Sequence, residues 1–280
     1  MLRNTQLWKA AKAGDKREVM RLLDCKGDPN TIHNGITVMH AAVSSRKINV
    51  VNHLYKSGAV FSYARPSYLL NSAKRMPIHN AIQFKSKEMV EALLKLDEKQ
   101  LEIEDTDGNR PIHYAIAYYK PRTLQFLISS GADVTVPFPE DPPVSCLREY
   151  ARERIPLNPL GAAVLGYESP ERFETIRLLL KTKKFGVKDL ITTPLELAET
   201  GEWRIVMDVI KEIDPPVEDL EDEDLEGETL LHVAARQENL NVILFLKEHG
   251  KVTSGKRDDE GRLADALTRR DEIKKIIQKI

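Results

Sequence analysis

The chain has 280 residues, 41% of them hydrophobic and 30% charged, a composition that excludes a disordered tail and indicates a folded protein. Lysine and arginine number 42 against 43 aspartates and glutamates. The resulting net charge of −1 disfavours a dedicated nucleic-acid binder, which usually carries a basic excess.

Compartment signals are few. No segment is apolar and uncharged for long enough to span a bilayer, and the N-terminus lacks the apolar run of a secretory signal. Cys25 and Cys146 are the only cysteines, which excludes a disulfide framework and a cysteine-based zinc site. We therefore expect a protein without a membrane span in a reducing, cytosol-like compartment.

A short motif recurs along the chain: a small or polar residue, then Pro or an apolar residue, an apolar residue, His, and Ala two residues later. Two weaker copies place Gly161 and Glu196 where the other copies have His. The equivalent positions are 40, 79, 113, 161, 196 and 232, which indicates a unit of about 34 residues with insertions. The four copies with histidine are Thr37–Ala42, Met76–Ala81, Arg110–Ala115 and Thr229–Ala234.

Each motif is followed by a second apolar segment, so the unit is predicted to be a pair of helices. Pro at the first helical position costs nothing, because its missing N–H would be unpaired there. A single pair cannot bury its apolar stripe, so neighbouring pairs must stack. Residues Leu7–Leu23 look like a first, capping copy, and Gly261–Ile277 like a shortened last one.

The motif resembles the ankyrin repeat, whose unit is a turn, two antiparallel helices and a projecting hairpin. The resemblance implies an all-α solenoid of stacked helix–turn–helix units with short β-hairpin or loop fingers, as one domain over residues 1–280. Eight repeats are expected, at approximately 4–33, 34–73, 74–106, 107–154, 155–189, 190–225, 226–257 and 258–280.

The repeated histidines, His40, His79, His113 and His232, could be metal ligands or bases. One per stacked repeat, however, spaces them by about 8–10 Å, too far for one metal ion. In the ankyrin family the equivalent histidine is a structural residue that hydrogen-bonds adjacent turns. Glycine-rich phosphate-binding loops are also absent from the sequence. We predict no catalytic residue, metal or cofactor.

The resemblance places a concave binding face at the fingers and at the residues four and five beyond each histidine. Phe84 and Tyr118 then occupy the same position in consecutive repeats, with Gln83 and Tyr119 beside them. Aromatic side chains often anchor protein interfaces, so these four residues are predicted to contact a partner. The alternative is that an inserted loop folds over them.

Two insertions lie next to this patch in sequence, Phe61–Arg75 and Thr135–Leu157. Long loops on a rigid scaffold often carry function. We expect the two insertions to complete the partner-binding surface. Their candidate contact residues are Tyr63, Arg65, Tyr68 and Phe138.

Two charged segments have weaker interpretations. The acidic stretch Glu212–Glu228 could receive a basic peptide or a divalent cation, or could be a solvated loop. A basic cluster at Lys181, Lys183, Lys184 and Lys188 could contact nucleic acid, although a solvated helix end explains it as well.

The predicted function is therefore a non-enzymatic scaffold, a monomer that binds a protein partner. Ankyrin proteins serve this way in eukaryotic cytosolic regulators and in effectors that intracellular bacteria deliver into the host cytosol. The alternative is an enzyme whose site is hidden in the insertion at 135–157, with Cys146 as nucleophile and His113 as base.

Overall fold

The computed structural model describes residues 2–62, 75–84, 86–147, 157–165, 169–185, 198, 201–213, 223, 227–249 and 252–280. They fall into two compact units, Met1–Thr175 and Ile176–Ile280. Helices dominate the described residues of both units, so the all-α prediction is confirmed. The eight repeat boundaries stay a prediction.

The first unit is a succession of helix pairs. Short 3-10 helices at Glu98–Leu101 and Ser145–Leu147 follow two of them, and the boundary between the units falls within the helix Pro170–Leu180. The described α-helices are α1 Leu2–Ala13, α2 Lys16–Asp24, α3 Val38–Ser44, α4 Ile48–Lys56, α5 Pro77–Gln83, α6 Lys87–Leu96, α7 Pro111–Ala117, α8 Pro121–Ser129, α9 Pro159–Leu165 and α10 Pro170–Leu180.

Helix starts follow the sequence signals. Pro77, Pro111 and Pro159 each occupy the first position of their helix, as predicted. The hydroxyl oxygen of Thr37 accepts a hydrogen bond from the backbone N–H of His40 at 3.2 Å and so caps α3.

The helices of the first unit stack in two rows. Helices α1, α3, α5, α7 and α9 contact one another in that order, while α2, α4, α6 and α8 form the second row. Side chains such as Ile78, Ile112 and Leu127 are fully buried between them. Each side chain of this size stabilises the fold by about 1.5–3 kcal/mol when buried. The predicted stacking of helix–turn–helix units is thus confirmed within this unit.

The turn between the two helices of a repeat contains a left-handed residue six positions beyond the histidine. Arg46 has φ 57°, Tyr119 has φ 47° and Glu238 has φ 53°. Glycine adopts this conformation without a steric penalty, whereas other residues pay one. In three repeats of this chain, a residue larger than glycine adopts this left-handed conformation.

The first finger is a short antiparallel hairpin of β1 Ile32–His33 and β2 Ile36–Thr37, in register Ile32↔Thr37 and His33↔Ile36. Asn34 and Gly35 form its turn with φ 51° and 74°, the conformation that favours an Asn-Gly pair. The Asn30 side chain links this finger to the next, because its amide donates to the Gly58 carbonyl at 3.0 Å.

The second unit contains α11 Trp203–Ile213, α12 Leu230–Arg236, α13 Leu240–His249, a 3-10 helix at Ala264–Leu267 and α14 Asp271–Ile277. Helix α13 contacts α11, α12 and α14, and the 3-10 helix packs on α12 and α14. The segment predicted as a shortened last copy has one 3-10 turn where a repeat has its first helix, and its assignment as a repeat stays a prediction.

Candidate functional site

The repeated histidines link each motif to the finger of the following repeat. In every case Nε2 lies within hydrogen-bond distance of a backbone carbonyl 23 to 35 residues further along the chain. The acceptors are the carbonyl oxygens of Arg75 for His40 (2.9 Å), Ile103 for His79 (3.2 Å), Val136 for His113 (3.1 Å) and Arg262 for His232 (3.3 Å).

The other ring nitrogen fixes the tautomer. The backbone N–H groups of Met76 and Arg110 donate to Nδ1 of His79 and His113, both at 3.1 Å. Since Nδ1 accepts, Nε2 carries the proton and donates to the carbonyl. Each ring therefore ties its own helix start to the next finger, as the resemblance implies, and both of its nitrogens are engaged.

Burial keeps three of these rings neutral. Desolvation lowers the pKa of His40 to about 4, that of His79 to about 3 and that of His113 to about 4, because the charged imidazolium is disfavoured away from water. Within the described part of the chain, no group of three or more His, Cys, Asp or Glu side chains is placed to hold a metal ion. These histidines have a structural role, as hydrogen-bonding links between neighbouring repeats.

Tyr114, one residue beyond the third histidine, is the centre of a buried polar and aromatic cluster. Its hydroxyl donates to Oδ2 of Asp105 at 2.7 Å, and its ring lies 4.8 Å from that of His79 and 6.0 Å from that of Tyr118. Burial raises the pKa of the Tyr114 hydroxyl above its ordinary value. The cluster connects two consecutive repeats.

The predicted partner-binding residues Gln83, Phe84 and Tyr118 lie at the edge of this cluster. The amide of Gln83 donates to the Tyr118 hydroxyl at 3.4 Å. That hydroxyl in turn donates to the Pro143 carbonyl at 3.2 Å, so the 135–157 insertion does return to the patch. Tyr118 is half-buried, whereas 38% of Phe84 remains exposed. The alternative, in which an inserted loop folds over the patch, is therefore partly correct for Tyr118.

A family model described as "Ankyrin repeats (3 copies)" matches residues 63–137 of this chain. The match contains the motif copies at His79 and His113, whose stacked helix pairs and histidine links are described above. Residues 63–137 of this chain are therefore ankyrin repeats. Ankyrin repeats are generally protein–protein interaction modules, and proteins built from them are typically non-enzymatic. None of the described helices combines the length and the apolar character needed to cross a membrane.

The expectation that Tyr119 contributes an exposed ring is corrected by the structure, which leaves only 3% of it accessible. Its left-handed backbone belongs to the turn between the two helices of its ankyrin repeat. The side chain packs inward, and its hydroxyl donates to the Ala163 carbonyl at 3.0 Å.

Phe138 was predicted to contact a partner, but it is likewise buried, with 4% of its surface exposed. Its ring stacks on His113 with the centroids 4.6 Å apart, and its backbone N–H donates to the Leu157 carbonyl at 2.8 Å. The start and the end of the insertion thus meet, and Phe138 closes the histidine link of the fourth predicted repeat.

The sequence analysis missed the finger turns that begin with an aspartate. Oδ1 of Asp105 accepts from the backbone N–H groups of Asp107 (2.9 Å) and Asn109 (2.8 Å). Asp258 holds its finger in the same way. The spacing Asp-x-x-Gly at 105–108 and 258–261 is the signal that could have found both turns.

Open grooves of about 580 and 600 Å³ border the outer helices α6 and α8. Charged side chains of both signs line them, among them Lys87 and Glu88 in one and Lys95 and Glu98 in the other. Among the described residues that line either groove there is no histidine and no cysteine. The described lining therefore does not supply the Cys and His of the enzyme alternative.

Several predicted features lie outside the described residues. They are Tyr63, Arg65 and Tyr68 of the first insertion, the side chain of Cys146, most of the copy at Thr193–Ala198, Lys188, and most of the acidic stretch Glu212–Glu228. His113, the base in the enzyme alternative, uses both ring nitrogens in backbone hydrogen bonds, so neither is available to a thiol.

Proposed function

We propose that this ankyrin-repeat protein binds a protein partner through a face made by Gln83, Phe84 and Tyr118, and that the two insertions extend this face. The observation that carries the proposal is the exposure of Phe84 next to a hydrogen-bonded pair of side chains from consecutive repeats. A large apolar ring on a preorganised polar frame is the arrangement of an interface anchor.

The preorganisation has a physical basis. Gln83 and Tyr118 hold one another at 3.4 Å, and Pro143 holds the Tyr118 hydroxyl at 3.2 Å. Less side-chain entropy is then lost on binding than at a flexible surface. In the same proposal the protein acts as a monomer, performs no catalysis and does not bind nucleic acid. The net charge of −1 supports the last point, because it gives little attraction to phosphate groups. The compartment is the cytosol, that of a host cell if the protein is an effector.

The test is quantitative affinity capture from a cytosolic extract with the wild-type protein and the Phe84→Ala variant. One interface anchor contributes 2 kcal/mol or more, so the capture of the partner should fall by about tenfold or more. Leu244→Ala is the matched control, because Leu244 on α13 is 39% exposed against 38% for Phe84. Equal capture by Phe84→Ala and wild type would remove this face from the account.

A further inference from the structure

Arg75, which directly precedes the motif of α5, is held in place by groups from three repeats. One Nη donates to Oε1 of Gln83 at 2.7 Å, and the guanidinium carbon lies 5.0 Å from the centre of the Tyr114 ring. Its backbone carbonyl accepts the hydrogen bond from His40 at 2.9 Å. Both the backbone and the side chain of Arg75 therefore have a fixed position.

The charge of this guanidinium is not compensated by the groups that hold it. The Gln83 amide and the Tyr114 ring are neutral, and among the described residues no carboxylate forms an ion pair with Arg75. Arg21 and Arg110 of the same unit pair with Glu18 and with Glu102 and Glu104. Arg17, Arg46 and Arg122 also form no ion pair within the described residues, but they are exposed, whereas the unpaired Arg75 is half-buried.

The carboxylate of Asp105, which contacts Arg75 only through Tyr114, is already engaged. Oδ2 of Asp105 accepts the Tyr114 hydroxyl, and its Oδ1 accepts the amides of the finger turn. Nε of Arg75 is buried without a hydrogen-bond acceptor in the described part of the chain. Because Nε is buried, a partner can reach the guanidinium only at its Nη groups. A half-buried guanidinium with an unpaired charge gains the most from a carboxylate, which the two Nη groups can bind with parallel hydrogen bonds.

We infer that Arg75 is the charge-recognition residue of the binding face and that the partner presents an aspartate or glutamate to it, next to an apolar side chain that packs on Phe84. The inference rests on the proposed function. Gln83 joins the two parts, because it accepts from Arg75 and directly precedes Phe84. Electrostatic complementarity at Arg75 then supplies specificity, and Phe84 supplies apolar contact area.

The experiment selects binders from a library of short random peptides displayed on phage, with the wild-type protein as bait. We expect the selected sequences to share an acidic residue next to an apolar one. Replacing that acidic residue by its amide should weaken binding to wild type by about tenfold or more, and binding to Arg75→Gln by less than about twofold. Arg75→Lys, which keeps the charge and loses the planar fork, should give an intermediate affinity.

Arg122→Gln is the matched control, since it removes an exposed arginine of α8 and should leave peptide affinity unchanged. Thermal unfolding of all variants shows whether they are folded at the temperature of the assay. Peptides that require Phe84 but show no acidic preference, or bind Arg75→Gln as well as wild type, would overturn this inference alone. A selection without any peptide sensitive to Phe84→Ala would overturn the proposed function, and the inference with it.

Discussion

Helices α7 and α9 are neighbours in the same row of the first unit, yet their starts are held differently. In α7, His113 accepts the N–H of Arg110 and donates to the Val136 carbonyl of the next finger. In α9, Gly161 occupies the histidine position, and its N–H donates to Oδ1 of Asn158 at 2.8 Å. Asn158 thus caps the start of α9, but it does not supply the hydrogen bond to the next finger that His113 makes in α7.

The comparison separates two functions of the histidine motif. Leu160 and Val164 of α9 remain buried although the histidine is absent, so the apolar stripe alone suffices to pack the helix. The histidine adds a defined position for the following finger. In the first unit, Gln83, Phe84 and Tyr118, the face proposed to bind a partner, lie in two consecutive repeats that both have this link.

The largest effect expected from this difference is a loss of stability in acid. Above about pH 6.5 the histidines are neutral in both states. As the pH falls, the unfolded chain takes up protons that the folded chain resists until its pKa values of about 4, 3 and 4 are reached. Each of the three histidines should lower the free energy of unfolding by about 1.4 kcal/mol for every pH unit of acidification in this window. Urea unfolding at a series of pH values measures the slope.

The variant His79→Asn isolates one histidine from the carboxylates that also titrate in acid. Between about pH 6.5 and about pH 4, its slope should be smaller than that of wild type by about 1.4 kcal/mol per pH unit. Identical slopes for the two proteins would contradict the assignment of a buried, neutral His79.

Breaking the link directly should have the next largest effect. His79→Ala leaves the N–H of Met76 and the carbonyl of Ile103 without their partner and opens a cavity. The free energy of unfolding should fall by about 2–4 kcal/mol at neutral pH, measured by urea denaturation. His53→Ala on α4, a half-buried histidine, is the control and should cost about 0.5 kcal/mol. Similar losses in both variants would mean that the link is unimportant.

A smaller effect is expected where only the local role exists. Asn158→Ala removes the acceptor for the Gly161 N–H and should lower the free energy of unfolding by about 1 kcal/mol. Asn158→Asp keeps an acceptor at the helix start and should retain the stability of wild type. If alanine and aspartate gave the same value in the thermal or urea assay, the capping role of Asn158 would be refuted.

The smallest predicted change concerns the turn after the histidine. Arg46 is exposed with φ 57°, so Arg46→Gly should raise the free energy of unfolding by about 0.5–1 kcal/mol by removing backbone strain. Lys47, the next residue, has φ −99° and serves as control. Lys47→Gly should lower stability instead, since it adds only freedom to the unfolded chain. A loss in both variants would exclude strain at Arg46.

The sequence predicted what depends on local spacing. The proline helix starts follow from the repeated motif, and the histidine links were implied by its resemblance to the ankyrin repeat. It did not predict that Tyr119 and Phe138 are buried, since both effects arise from tertiary structure. Tyr119 turns inward with its left-handed backbone, and Phe138 is covered because the insertion returns at Leu157. The periodic pattern within one repeat therefore predicts neither the burial of Tyr119 nor that of Phe138.

The position of the Arg75 guanidinium was also beyond the sequence. The insertion Phe61–Arg75 contains no Asp or Glu, whereas Glu102 and Glu104 lie just before Arg110 and pair with it. Only the folded arrangement shows that Gln83 and Tyr114 hold its guanidinium.

The most direct test of the proposed binding face is photo-crosslinking in a cytosolic extract, with a photoreactive phenylalanine analogue placed at position 84 or at position 244. The two native side chains are equally exposed, so the comparison is matched for accessibility. The account predicts a discrete crosslinked protein from position 84 that position 244 does not give. The same products from both positions, or none from position 84, would contradict it.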